Sequence, residues 1–155
     1  MPAGNPQVIE SLQSSLRLHW SAIEAYLAQS VHFATWGYPK LAAVYAEESE
    51  DEKAHAKRLI ERLEFFNVAP DIDHDPVEWP RHDFPGVLDA NYEMELQATT
   101  VERSGYTIAL ASDDPISAEL FRVNLVSSEA SLIEIEAIQE VIGQIGLDNY
   151  LANQT

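Results

Sequence analysis

From Pro6 to Trp36 the apolar residues Val8, Leu12, Leu16, Ile23, Leu27 and Phe33 return at steps near three, four and seven, the period of a helix with one buried stripe. The stripe runs for many turns, so the spacing predicts one long helix. "WGYPK" ends it: Gly37 suits the left-handed conformation that closes a helix, and Pro39 suits the first turn of the next. Leu41, Val44, Tyr45, Leu59, Leu63 and Phe66 mark a second long helix closing near Asn67, ahead of Pro70, and the sharp reversal predicts that the two pack antiparallel. Residues 68–85 hold four prolines and little periodicity, which predicts a connector running the length of a bundle. Val87, Leu88, Tyr92, Leu96, Tyr106 and Ile108 carry a third helix to "SDDP", where Asp114 can cap and Pro115 can open the fourth. That fourth helix carries Leu120, Leu125, Leu132, Ile135, Ile138 and Ile142, and Gly143 and Gly146 loosen its end before "LDNYLAN", a short fifth helix. The expectation is an all-α four-helix bundle forming one domain over 1–155, with a long crossover between helices 2 and 3 that makes those two run parallel, and a short C-terminal helix.

Some polar residues fall on the apolar stripes. Glu52 and His55 lie seven and four residues before Leu59 at the spacing Glu-Xaa-Xaa-His, which puts both on one side of helix 2. On helix 1, His19 sits between Leu16 and Ile23; on helix 3, Glu95 follows Tyr92 by three. An unpaired carboxylate in a core is very unfavourable, so these side chains need compensation. A divalent cation held by two imidazoles and two carboxylates supplies it, and bundle interiors are where such sites are built. The alternative is a hydrogen-bonded polar core with His19 joined to Glu52 or Glu95.

Composition narrows the partners. With 9 Lys and Arg against 26 Asp and Glu the formal charge is −17, which repels nucleic acid and anionic membranes and gathers cations. No cysteine is present, which excludes disulfides and thiolate sites and suits a cytoplasmic setting. The first residues show no leader pattern, and no apolar run reaches the ~18 residues needed to cross a bilayer.

The ordered landmarks "AIEAY", "WG", "ESEDEKAHA" with "IERLEFF", "YEMEL" and "GLDNYL" give the chain, from about Val8 to Leu151, a resemblance to the bacterioferritins of the ferritin-like di-iron family. The spacing fits too: Glu52 follows His19 by 33 residues and Glu95 follows Glu52 by 43. The resemblance implies a Glu at position 19, Glu and His at 52 and 55, a Glu at 95, and a second Glu-Xaa-Xaa-His on helix 4, which falls on Ser128 and Ser131. Three positions match (Glu52, His55, Glu95), His19 is a substitute ligand, and two ligands are lost. Two divalent ions bring +4 against two carboxylates, so the charge favours a single ion on His19, Glu52, His55 and Glu95. Iron, as Fe(II), or Zn(II) in its place suits that donor set. By the same resemblance Tyr26 stands beside the centre, to orient a ligand or give up an electron, or as a plain core aromatic. The family's haem-binding Met corresponds to Lys53, with Met1 and Met94 elsewhere, so haem is not expected.

The resemblance further implies an iron-storage subunit of a hollow homo-oligomeric shell, 24 subunits or in a smaller variety 12, oxidising Fe(II) weakly for want of helix-4 ligands and open to mixing with a complete sister subunit. Glu47, Glu48 and Asp51 would line the storage cavity or simply a solvated face. The competing expectations are a metal-free shell protein, a DNA-protecting starvation ferritin, which the charge opposes, and a mononuclear oxygenase. "DIDHD" at 71–75 and "RHD" at 81–83 read as solvated loop, and Trp20, Trp36 and Trp79 as packing residues.

Overall fold

In a computed structural model, which describes residues 3–155, the chain forms α1 (Pro6–Trp36), α2 (Pro39–Phe65), α3 (Phe84–Ala111), α4 (Pro115–Ile145) and α5 (Leu147–Ala152), with no strand among the described residues. Met1 lies outside them. Each boundary has a local cause. Asn5 caps α1 by accepting from the Gln7 N–H, with Pro6 in its first turn. Gly37, at φ 99°, turns its N–H onto the Phe33 and Ala34 carbonyls and so permits the tight reversal into Pro39. The third helix starts earlier than its apolar pattern, because Asp83 caps the Gly86 N–H and Pro85 sits in the first turn; that proline opens the helix instead of belonging to the connector. Asp114 caps α4 through the Ser117 N–H.

α1 packs along α2, α3 along α4, and the two pairs meet through α1 with α3 and α2 with α4. The crossover spans the bundle between Phe66 and Asp83 and is tied down by Arg17 with Asp71 (3.2 Å) and His74 with Glu24 (2.7 Å). One end of the core gathers Val8, Leu12, Leu16, Leu59, Leu63 and Phe121; the other gathers Phe33, Tyr45, Phe84, Leu88 and Ile135. Where α3 crosses α4 only glycine fits at 105, since a Cβ there would stand 2.5 Å from the Phe121 ring. At the bundle's end Arg62 of α2 donates to Ser117 (2.9 Å) and Asp114 (2.7 Å), locking α2 to the start of α4.

Not every apolar position in the stripes is buried. Leu27 is 55% exposed, and Val44 and Leu96 are also open to solvent, as are Val31, Val126 and Ile133 outside the stripes. These residues lie on faces that no other helix of this chain covers, so period alone overstated the core at those three stripe positions.

Candidate metal centre

The polar residues picked out from the stripes do come inside. His19, Glu52, His55 and Glu95 are all buried, carried by α1, α2 and α3 at one depth between the two apolar clusters. Their mutual arrangement differs from a ready chelate. Among the described residues, no group of three or more His, Cys, Asp or Glu side chains stands so that it could hold a metal ion.

The cause lies in how His19 is used. Its Nδ1 faces Glu52 Oε2 in direct contact, and its Nε2 donates to Oε1 of Glu102, 3.2 Å away. Glu102 lies two turns beyond Glu95 on the same face of α3 and is 0% exposed. Burial alone works to lower the imidazole's pKa, but the charge of Glu52 and the hydrogen bonds to Glu102 and Glu52 outweigh it and push it up to about 10. With both ring nitrogens protonated, His19 has no lone pair to give, and its positive charge is itself the cation between two carboxylates. Ser15, one turn earlier on α1, donates to the same Glu102 oxygen at 2.5 Å.

His55 is engaged differently. Arg58, three residues on, donates to its Nδ1 (2.6 Å), which leaves the proton on Nε2 to face Ser127 Oγ at 3.2 Å. Burial, then the neighbouring charge of His19 and that of Arg58, lower its pKa against the pull of Glu52. The His19 and His55 rings lie 5.3 Å apart, centroid to centroid.

Glu95 accepts from the Tyr26 hydroxyl at 2.7 Å. Burial, and then the like charge of Glu52, push its carboxyl up to about 7, although the hydroxyls of Tyr26 and Ser128 pull the other way. Burial and the charge of Glu95 raise the Tyr26 phenol well above its ordinary range, so Tyr26 is a fixed hydroxyl donor that holds Glu95. A small cavity lined by Leu18, His19, Ala22, Glu52, Met94, Glu95 and Ala98 brings both carboxylates to one space.

A pair of iron ions does not fit these residues. Buried Ser128 offers only a hydroxyl from α4, and the Ser131 hydroxyl is turned onto its own helix, donating to the Ser127 carbonyl (3.2 Å). The buried polar groups are incompletely satisfied: Glu102 Oε2, and both amide atoms of the buried Asn124 on α4, have no hydrogen-bond partner.

Glu102 was missed by sequence reading, although its place seven residues after Glu95, with Ser15 four before His19, repeats the inward face and was a usable signal. Of the acidic stripe, Glu48 is half-buried and pushed up to about 7, by burial and then by Glu134, Glu52, Asp51 and Glu47. It lines a cleft with Tyr26, Ser131 and Glu134. Lys53 sits on the surface paired with Glu50 at 3.0 Å. Within the 71–75 segment Asp71 pairs with Arg17 and His74 with Glu24. Trp36 and Trp79 pack around His32, whereas the half-buried Trp20 leaves its indole N–H without a partner. No described helix is long and apolar enough to cross a membrane.

Comparison with known proteins agrees with the fold. A family model described as a ferritin-like domain matches residues 9–145. A bacterial ferritin of Synechocystis sp. is 32% identical over 97% of this chain and 97% of its own length. A bacterioferritin of Brucella melitensis is 29% identical over 95% and 91%. A bacterial ferritin of Pseudomonas aeruginosa is 26% identical over 97% and 98%. With an all-helical bundle, the long crossover and a match of this extent, the chain belongs to the ferritin-like family, among its bacterioferritins.

Proposed function

We propose that this chain is an iron-storage subunit, working in the cytoplasm, whose copies assemble into a hollow shell and whose bundle admits at most one iron ion and oxidises it slowly. The observation that carries this reading is the small cavity shared by Glu52 and Glu95, whose mutual repulsion a cation relieves, in a bundle whose fourth helix offers only the hydroxyls of Ser128 and Ser131. His19 and His55 are the nitrogens that must turn to such an ion, and each is held by protein partners. That is why binding is weak. Zn(II) suits the same donors. The net charge of −17 concentrates Fe(II) at the surface, and Glu48 with Glu134 extends that acidity into the cleft beside Tyr26. The exposed Leu27, Val31 and Ile133 suit burial against neighbouring copies in a shell, for which 24 subunits is the expected number and 12 the smaller alternative. A mixed shell with a subunit carrying all six ligands supplies fast oxidation where this one does not.

A metal-free shell subunit is the second reading, favoured by one observation: the imidazolium of His19 already neutralises the core. Metal content separates the two. Fe(II) titration of the assembled protein is expected to saturate near one ion per chain with slow, single-phase oxidation in air, and His55→Ala to abolish binding while native mass stays unchanged. Fast biphasic oxidation saturating at two irons per chain overturns the single-ion reading, and no binding at all establishes the metal-free one.

A further inference from the structure

Glu102 is the buried group that neither the fold nor the ligand positions account for. It is the most enclosed carboxylate of the centre, it sits outside the positions that the family resemblance marks, and its two oxygens are used unequally. Oε1 takes both the Ser15 hydroxyl (2.5 Å) and the Nε2 proton of His19 (3.2 Å), while Oε2 has no partner. A buried carboxylate with an idle oxygen is costly, and an apolar residue of similar size would have removed that cost. What Glu102 does in return is visible in the ring it holds. His19 reaches Glu52 with one nitrogen and Glu102 with the other, so its plane is fixed across the gap between α2 and α3. Glu52, which lines the cavity shared with Glu95, has its Oε2 occupied by the same ring.

We propose that Glu102 is a positioning residue that withholds His19, and through it Glu52, from a metal ion: the hydrogen bond from His19 Nε2 to Glu102 holds the ring in its bridging place and so sets the bundle's affinity for divalent cations. This inference rests on the single-ion reading for its ligands, but it concerns a different residue and a different contact. A neutral amide in place of the carboxylate holds the ring N–H less strongly. His19 is then released to turn a nitrogen to the cavity, and Glu52 recovers a free oxygen beside Glu95. Outer-shell partners of ligating histidines alter metal affinity about 10- to 100-fold, which sets the scale here. The usual partner strengthens binding by holding the ring toward the metal, whereas Glu102 holds it away, so the sign is reversed.

The test is a Co(II) titration of the assembled, iron-free protein, followed by visible absorption, which reports the number of nitrogen ligands as well as affinity. Glu102→Gln is nearly the same size and is expected to tighten Co(II) binding at least about tenfold and to change the spectrum to that of an added imidazole. Adding His19→Gln should remove the gain, because surface acids bind Co(II) without either residue. Glu102→Asp, which keeps the charge but is one methylene too short to reach the ring, is expected to act in the same direction and serves if the glutamine variant assembles poorly. Unchanged affinity in both variants overturns the proposal. Weaker binding overturns it too, since it makes Glu102 a ligand or a packing residue. The wild-type titration reads the underlying assignment separately: if the native protein binds no Co(II) and Glu102→Gln does, the single-ion reading fails for the native chain while the restraint by Glu102 stands.

Discussion

Two polar layers cross the core of this bundle, ten residues apart along α1, and they are built on opposite plans. In one, Gln29 of α1 and Asn91 of α3 exchange two amide hydrogen bonds, at 2.8 and 2.9 Å, and are neutral and mutually complete. In the other, His19 of α1 lies between the carboxylates of Glu52 and Glu102, with Ser15 on the same oxygen, and Glu102 Oε2 and both Asn124 amide atoms are left without partners. The first layer needs nothing further and acts as a clasp between helices. The second depends on one proton: its carboxylates tolerate burial because the imidazole between them is charged. A layer that changes with protonation or with a bound cation is a layer where chemistry can be done, which is the difference between a structural polar pair and a functional one.

The largest effect that breaks this comparison is removal of the central charge. His19→Leu leaves Glu52 and Glu102 buried without a counter-charge and should cost about 3–5 kcal/mol in urea unfolding of the metal-free protein. A loss under about 1 kcal/mol would mean the carboxylates find other compensation, and the charged layer would be no different in kind from the neutral one. The same layer sets the pH response. His19, at about 10 when folded against 6.5 unfolded, gives stability that is complete below pH 6.5 and fades as pH rises through about 10. Glu95, raised to about 7 from 4.5, adds a cost that is absent at acid pH and complete above about 7. Both signs agree, so the Tm of the metal-free protein should fall from pH 6 to pH 10, and His19→Leu should flatten that slope. A Tm that is level or rising over this range contradicts the assignment.

The neutral layer should respond in the opposite manner. Gln29→Ala strands the Asn91 amide and opens a cavity, for a loss of about 2 kcal/mol that does not vary between pH 6 and pH 10. Replacing both residues by Leu removes the two buried amides together and should restore most of that stability. If instead the double variant is as unstable as the single one, the pair contributes shape that Leu cannot supply.

How much of this was legible follows the same division. The helices were readable because Gly37, Asp114 and the prolines at 6, 39 and 115 act locally, and helix period reports burial wherever one chain covers its own face. It failed at Leu27, Val44 and Leu96, where the covering face belongs to nothing within the chain. Inward placement of His19, Glu52, His55 and Glu95 was legible for the same periodic reason. What they do to one another was not, because a salt link between α1 and α3 depends on rotamers and on a residue 83 positions away in the chain, Glu102. Spacing can say that a histidine is inside; it cannot say that its protons are already taken.

The smallest expected effect separates two roles for Tyr26, which stands between the layers. Its hydroxyl donates to Glu95 at 2.7 Å and its phenol is held well above the ordinary range, so it is a stable hydrogen-bond donor over the whole working range of pH. Tyr26→Phe removes that donor at little cost in packing, because the ring stays, and should lower stability by about 1 kcal/mol. Since the hydroxyl favours the ionised form of Glu95, its loss should move the Glu95 titration further above about 7, making the deficit larger at pH 8 than at pH 5. Stability measured at those two values checks this. A deficit equal at both would mean the hydroxyl bonds the protonated carboxyl as strongly as the ionised one. If stability and its pH dependence are both unchanged while Fe(II) oxidation slows, Tyr26 acts as an electron donor and not as the group that orients Glu95.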